Sequence, residues 1–305
     1  MDFITNIILI GVFLFLLKMY CSGRQNLVEK DLKDKVVVLT GGTHGMGIAL
    51  VRELLKHHAT VVSFSRNESL AQRISNELIK EFPNSQFEHI TMDLGDLKSV
   101  KEATEICIEK YPEIDYIIDN AGILISPFTK TKQNLEGIIG INYVGHFLFN
   151  LKLLNALKIR HGRFIITSSI MAQFANKPIT LDCKKNEFNC YQRYSQSKLA
   201  LMMMAKELSL HGIEAVSIHP GVVISNILHK YPLFIQWGYK ILGFFIFKSV
   251  EDGIQTALHC IFSDSIINGG YYKDCECSML YKRAENTIER QEVWDKTYEI
   301  IKPFL

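Results

Sequence analysis

The sequence predicts an α/β protein: a single doubly wound parallel sheet covered by helices, preceded by an apolar N-terminal helix. Three observations carry this. First, short β-branched apolar runs alternate with helix-period segments from residue 35 to residue 273. Strands at that spacing need crossover helices, which makes the sheet parallel and covers both of its faces. Second, a glycine-rich turn directly follows the first of these runs. Third, the composition is 48% hydrophobic and 22% charged over 305 residues. That excludes a disordered chain and a polytopic membrane protein, and the length suits one large domain.

Residues 3–17, FITNIILIGVFLFLL, carry no charge. With Lys18 snorkelling, Phe3 to Ser22 is long enough as a helix for a bilayer core of ~30 Å. Asp2 stands where a signal peptide wants a basic start, and Leu-Lys-Met-Tyr where it wants small residues. An uncleaved anchor over residues 1–22 is therefore preferred to a cleaved signal or a peripheral hairpin. Lys18, Arg24, Lys30 and Lys33 all lie on its C-terminal flank, so the positive-inside tendency places the rest of the chain in the cytosol. Residues 23–33 read as a polar linker to a domain over 34–280.

In that domain KVVVLT (35–40) is the first strand, followed by a helix through Ile48, Val51, Leu54 and Leu55. TVVSFS (60–65) is the second strand and 68–82 a helix; QFEHITMD (86–93) is the third and 96–110 a helix. IDYIID (114–119) is the fourth, followed by a long helix over 134–158. GRFIITSS (162–169) is the fifth strand, then come a helix over 191–210, EAVSIHP (214–220), a helix over 249–263 and GGYYK (269–273). Residues 281–305 alternate charge with Trp294, Tyr298 and Phe304 and read as a surface helix and tail without chemistry.

The first strand runs into Thr40-Gly41-Gly42-Thr43-His44-Gly45-Met46-Gly47. A strand-to-helix turn aims free N–H groups and the positive end of a helix dipole at one point, where a pyrophosphate is met without a cationic side chain. Gly41, Gly45 and Gly47 permit the tight turn and close approach. This is the dinucleotide site of a Rossmann-type sheet, in its confirming strand–turn–helix context. The second strand ends in Ser65-Arg66-Asn67 rather than Asp or Glu. Arg66 and Ser65 suit a ribose 2′-phosphate, so NADP is the expected cofactor and NAD the alternative. Asp93, followed by Leu94, is a candidate for the adenine amino group or a simple turn cap. The one glycosylation-type triplet, Asn67-Glu68-Ser69, falls in this loop.

Tyr194 and Lys198 share a helix face. A phenol of pKa ~10 is a poor base at neutral pH, and a neighbouring ammonium lowers it. Ser169 ends the fifth strand, on the side where ligands of such sheets bind. Its hydroxyl can polarise a carbonyl; Ser168 competes, but alternation lets only one of the two face the site. Asn142 sits inside the long helix, where Asn is locally unfavourable.

These residues resemble the short-chain dehydrogenases/reductases over roughly residues 34 to 275. Thr40 to Gly47 matches the family's cofactor turn, and Asp119-Asn120-Ala121-Gly122 its Asn-Asn-Ala-Gly motif with Asp in the first place. Asn142, Ser169, Tyr194 and Lys198 match its catalytic set, and Pro220-Gly221 the turn after the sixth strand. The resemblance implies that Tyr194 is the acid/base and that Ser169 orients the substrate oxygen. It also implies that Lys198 holds the nicotinamide ribose and tunes Tyr194, and that Asn142 supports a relay water. Asn120, Ala121, Gly122, Pro220, Gly221 and Val223 then belong to the cofactor site, with Ser225 in place of the usual carboxamide-binding Thr.

Tyr194-Ser-Gln-Ser-Lys-Leu-Ala, His219-Pro-Gly-Val-Val and the 25-residue interval from Ser169 to Tyr194 look like the retinol dehydrogenase branch. Pro220 to Tyr272 looks closer to the X-linked, polyprenol-dehydrogenase type. YPLFIQWGYKILGFFIF (231–247) is apolar except for Gln236 and Lys240. It suits either an ordinary core helix or a lid, about 222–248, that touches a bilayer and admits a long lipid. The expected function is thus hydride transfer on a lipophilic alcohol or carbonyl at the endoplasmic reticulum or a lipid droplet, facing the cytosol. A steroid dehydrogenase and a catalytically silent NADP(H)-sensing binding protein are the alternatives. The family often pairs through its long helices, so a homodimer is one candidate for an oligomeric state that the sequence leaves open. The formal charge of +2 without a basic cluster gives no nucleic-acid footprint. Seven irregularly spaced cysteines exclude a secreted disulfide framework, and Cys275-x-Cys277 lacks the second pair that a zinc site needs.

Overall fold

The computed structural model of the chain describes residues 3–124, 126–223 and 243–305. Eight strands form one sheet: β1 (Val36–Thr40), β2 (Thr60–Ser65), β3 (Gln86–Thr91), β4 (Tyr116–Asp119), β5 (Arg163–Thr167), β6 (Glu214–His219), β7 (Tyr271–Lys273) and β8 (Glu276–Ser278). Their order is β3-β2-β1-β4-β5-β6-β7-β8. All neighbours are parallel except β7 and β8. The order reverses between β1 and β4, which opens a crevice at the carboxyl ends of those strands, where such sheets bind their ligands.

Nine helices accompany the sheet among the described residues: α1 (Phe3–Ser22), α2 (Gly45–Lys56), α3 (Glu68–Glu81), α4 (Leu97–Lys110), α5 (Gly137–Ile159), α6 (Cys190–Leu210), α7 (Val250–Phe262), α8 (Lys282–Glu285) and α9 (Thr287–Ile301). Strand side chains alternate between two cores, as a pleated sheet requires. Val38, Ile117 and Phe164 meet α4, α5 and α6 on one face. Val37, Ile118 and Ile165 meet α2, α3 and α7 on the other. Burial of each such side chain contributes about 1.5–3 kcal/mol.

Four expectations change. The sheet has an eighth strand, joined to β7 by a turn with φ of 49° at Asp274 and 59° at Cys275. Tight hairpin turns need positive φ at both central residues and usually announce it with Asn-Gly or Asp-Gly; Asp-Cys gives no such signal. The C-terminal segment is a docked helix rather than a surface one. Val293, Thr297 and Ile301 of α9 are buried, Trp294 stacks edge-on against Phe147 with ring centres 4.6 Å apart, and Arg290 pairs with buried Glu207 at 2.6 Å.

Residues 23–33 are a strap along α7 rather than a free linker: Gln25 donates to Asp252 at 2.8 Å, Asn26 N to Gln255 at 3.0 Å, and Lys30 to Asp264 at 2.6 Å. Leu32 is fully buried. Finally, α5 is not a uniform helix. Gly140–Val144 is a π-helical turn inside it, a feature that often marks functional sites.

α5 is long and apolar enough to cross a bilayer, yet it is mostly buried inside the domain. α1 is different: its 20 residues span about 30 Å, and Leu9, Val12, Phe13, Phe15, Leu16 and Met19 are exposed along it. Its C-terminal end is tied to residues 244–247, where Lys18 Nζ donates to Phe247 O at 3.0 Å and lies 5.5 Å from the Phe244 ring centre. Residues 224–242, most of the expected lid, and with them Ser225, lie outside the described residues.

Candidate active site

The turn after β1 is built from close approaches. Gly45 has φ +56°, a conformation that side chains disfavour, and a Cβ there would meet nothing within 4 Å, so the space above the turn is open. A Cβ at Gly47 would stand 2.0 Å from the Gly41 carbonyl oxygen, so α2 can start this near to β1 only with glycine. Thr43 is buried, with its hydroxyl 3.3 Å from His44 Nδ1. Met46 packs near Gly253 of α7. His44 is the N-cap of α2, yet no side chain caps that helix. Its first N–H groups are thus left for an outside anion, an arrangement that fits a dinucleotide pyrophosphate.

At the end of β2, the Ser65 hydroxyl is buried without a partner, and Arg66 is exposed with no ion pair among the described residues. Both fit a phosphate. Two neighbours do structural work instead. Asn67 caps α3, accepting from Leu70 N at 2.9 Å and from the Ser69 hydroxyl. Asp93 caps its own turn, accepting from Gly95 N at 2.9 Å, while Leu94 is buried against Gly145 of α5.

A hydrogen-bond chain joins β1, β4 and α5. Asn142 O can only accept, so His146 Nδ1, 2.9 Å away, carries the proton. His146 Nε2 then accepts from the Thr40 hydroxyl at 2.9 Å. Thr40 Oγ1 in turn accepts from Asn120 N at 3.1 Å and Ala121 N at 3.0 Å. Asn120 Nδ2 returns to Thr40 O at 2.9 Å. Every group in the chain is satisfied, and the result holds the Asn120-Ala121-Gly122 loop against the glycine turn. Burial pushes the His146 imidazole down to about 3.

Asn142 lies in the π-helical turn. Its Oδ1 accepts from Ile123 N at 2.8 Å, and its Nδ2 donates to Ile123 O at 2.8 Å and to the Ser197 hydroxyl at 3.1 Å. The carboxamide is therefore taken up in clamping the loop after Gly122 to α6. Asn142 Oδ1 and its backbone oxygen each accept one hydrogen bond here, so each keeps a lone pair for a water.

Ser169, Tyr194 and Lys198 converge beside that loop. Ser168 is excluded as the reacting serine because its hydroxyl donates to Lys198 O at 2.7 Å, away from the cleft. Ser169 faces Tyr194 closely enough to hold its phenol down, and its hydroxyl accepts from Met171 N at 3.2 Å. Lys198 Nζ is buried, donates to Thr167 O at 2.8 Å and lies 5.6 Å from the Tyr194 ring centre. A Cβ at Gly122 would come within 3.6 Å of that ammonium.

The expected lowering of Tyr194 by Lys198 is not what dominates. Burial pushes the phenol up, and the Ser169 hydroxyl opposes it. Burial also pulls Lys198 down to about 8, opposed by the Asp119 charge.

On the far side, Gly221 has φ +93°, and a Cβ there would meet Lys248 Cδ at 2.4 Å. Lys248 is buried behind the Pro220-Gly221 turn and pairs with Asp274 at 2.6 Å. Val223 bridges to Lys248 in parallel register. Sequence reasoning missed Lys248, Thr167 and Ser197. It also missed His146, although its i+4 spacing from Asn142 was a usable signal.

A model of the short chain dehydrogenase family matches residues 35–233. Retinol dehydrogenase 12 of Mus musculus is 29% identical over 293 residues, covering 93% of this chain and 92% of its own. Retinol dehydrogenase 12 of Homo sapiens is 30% identical over 281 residues, covering 89% and 87%. Among solved structures, an uncharacterised protein from Mycobacterium Paratuberculosis superposes with a TM-score of 0.72 at 22% identity, covering 92% of this chain and 98% of its own. An alcohol dehydrogenase from Thermococcus sibiricus, solved with 5-hydroxy-NADP, gives 0.52 at 20% identity over 63% and 78%. These two likenesses concern the fold.

Proposed function

The chain belongs to the short-chain dehydrogenase family, and from that premise we propose that it is a membrane-associated, NADP-preferring oxidoreductase acting on the alcohol or carbonyl of a long lipophilic molecule of retinoid or polyprenoid type. The observation that carries this is the convergence of Ser169, Tyr194 and Lys198 beside an uncapped helix N-terminus at the switch point of the sheet.

The dinucleotide would lie on the α2 N-terminus and the Asn120-Ala121-Gly122 loop, with Arg66 and Ser65 toward the 2′-phosphate. When bound, it supplies or takes up the hydride. The protein's part is to handle the oxygen and its proton. Ser169 is placed to donate to the substrate oxygen, and Tyr194 gives or takes the proton at its hydroxyl. Lys198 keeps a positive charge by the phenol, which favours phenolate when the proton leaves. Asn142 and His146 hold the loop that shapes this space. Arg66, without an ion pair among the described residues, and the absence of a carboxylate at the end of β2 favour NADP over NAD.

Three features support an apolar, membrane-borne substrate: the exposed apolar face of α1, the tie from Lys18 to Phe247 at the lid, and the likeness to proteins named retinol dehydrogenase. An anchor on the same membrane as its substrate turns a molecule scarce in water into a locally concentrated one.

The test uses the full chain in lipid vesicles with retinaldehyde or a polyprenal and NADPH or NADH, following the nicotinamide absorbance. NADPH-dependent reduction is expected, with Tyr194→Phe lowering kcat by about 10²–10⁴-fold. Equal absence of turnover in both proteins despite NADPH binding would replace this reading by a cofactor-sensing one. A preference for steroid ketones would move the substrate class.

A further inference from the structure

A buried carboxyl near Lys198 has no ion pair among the described residues. Asp119 ends β4 at 1% exposure, and its Oδ2 accepts from Asn150 Nδ2 at 2.7 Å. Asp119 Oδ1 and Asn150 Oδ1 both lack partners. A carboxylic acid and a carboxamide are complementary, N–H to carbonyl one way and O–H to carbonyl the other, and half of that pair is formed here. A proton on Asp119 removes the buried charge and makes an acceptor without a partner into a donor. An ionised carboxylate held by one neutral donor would be strongly disfavoured at this depth.

Lys198 is its electrostatic neighbour. The ammonium donates to Thr167 O on β5, one residue beyond Ile166, which stands opposite Asp119 in the β4–β5 ladder. The two charges thus lie at the same end of adjacent strands, yet Lys198 makes no ion pair among the described residues. Asp119 is the acidic group that acts on it. Of the other titratable groups facing Lys198, burial holds His146 from α5 and His219 from β6 neutral. Tyr194, on α6 itself, is a neutral phenol.

We propose that Asp119 is held as the neutral acid at physiological pH and ionises on the alkaline side, where its charge sustains the Lys198 ammonium. Asp119 is thus a positioning residue that sets the alkaline limit of the reaction. Burial pushes its carboxyl up to about 8, with Asn150 and Lys198 pulling the other way. Burial raises Asp119 and lowers Lys198, so the two titrations are drawn toward each other, and the anion opposes loss of the ammonium charge. An amide in this place keeps the shape and cannot do this.

The inference rests on the proposed role of Lys198 and is tested separately from it. In Asp119→Asn, the alkaline limb of the kcat/KM profile moves down by about one pH unit, a loss of about tenfold at a fixed alkaline pH. The acid limb stays in place, which a merely structural defect would not produce. Independently of turnover, infrared difference spectra of wild type minus variant show a protonated-carboxyl band at neutral pH that fades as the pH passes the range of the pair. NADPH affinity falls earlier with pH in the variant. An unmoved limb, or no protonated-carboxyl band, overturns the inference. Absence of turnover in wild type would instead overturn the proposed function, leaving the infrared and binding results to decide on Asp119.

Discussion

His146 shows how one residue couples the site to acid stability. Its proton is fixed on Nδ1 by the Asn142 carbonyl, and its Nε2 is committed to accepting from Thr40. A second proton would face a hydroxyl whose acceptor positions are already taken by Asn120 N and Ala121 N. The imidazole is therefore neutral in the folded protein down to about 3, and buried His219 down to about 4. In the unfolded chain each takes a proton near ~6.5. The unfolded state thus binds more protons below that value, so stability is complete above it and falls as the solution is acidified. Denaturant titrations between about pH 7 and about pH 5 should show a slope approaching 1.4 kcal/mol per pH unit per histidine. His146→Gln should remove one histidine's share of that slope, even if it lowers stability at every pH.

Among elements, the long interval between β5 and α6 is the one that most needs support, because Ser169 and Tyr194 stand at its two ends. Arg193, next to Tyr194 in the chain, supplies that support. Its Nε donates to Glu136 at 2.9 Å, Nη1 to the Thr180 hydroxyl at 2.9 Å and to Gln196 at 2.8 Å, and Nη2 to Thr180 O at 2.7 Å. Glu136 meanwhile accepts from Ile138 N and Ile139 N at the start of α5. The intervening segment is thereby fastened to both α5 and α6 by a buried and fully engaged ion pair. Arg193→Ala leaves Glu136 charged, buried and unpaired, and should cost about 3–5 kcal/mol, read as a lower urea midpoint at unchanged slope. Activity should fall with it, since the serine and tyrosine lose their common frame. Neither Arg193 nor Glu136 stood out in the sequence, because a charged residue on a helix is by default a solvated one.

At the scale of the molecule, the catalytic domain is closed by its own ends. α9 covers α5 and α6, and the strap over residues 23–33 runs along α7. α1, by contrast, leaves Leu9, Val12, Phe13, Phe15, Leu16 and Met19 exposed. Deleting residues 1–22 while keeping the strap should leave the thermal midpoint within a few degrees and abolish co-sedimentation with lipid vesicles. Persistent vesicle binding would shift the membrane contact to the lid side, toward exposed Val222, Phe244 and Ile246.

How much of this was legible follows the range of the interactions. Strand–helix alternation, the glycine turn and the Tyr194/Lys198 face are local, because dihedral preference and a period of 2 or 3.6 are written in neighbouring residues. They were enough to settle the α/β class and to nominate Ser169, Tyr194, Lys198 and Asn142. Other features depend on which distant groups share a buried volume: the choice between Ser168 and Ser169, the tautomer of His146, the half-satisfied carboxyl of Asp119 and the phenol of Tyr194 rising rather than falling. Hydrogen-bond satisfaction and desolvation act between atoms brought together by the sheet, so only the tertiary structure could decide them.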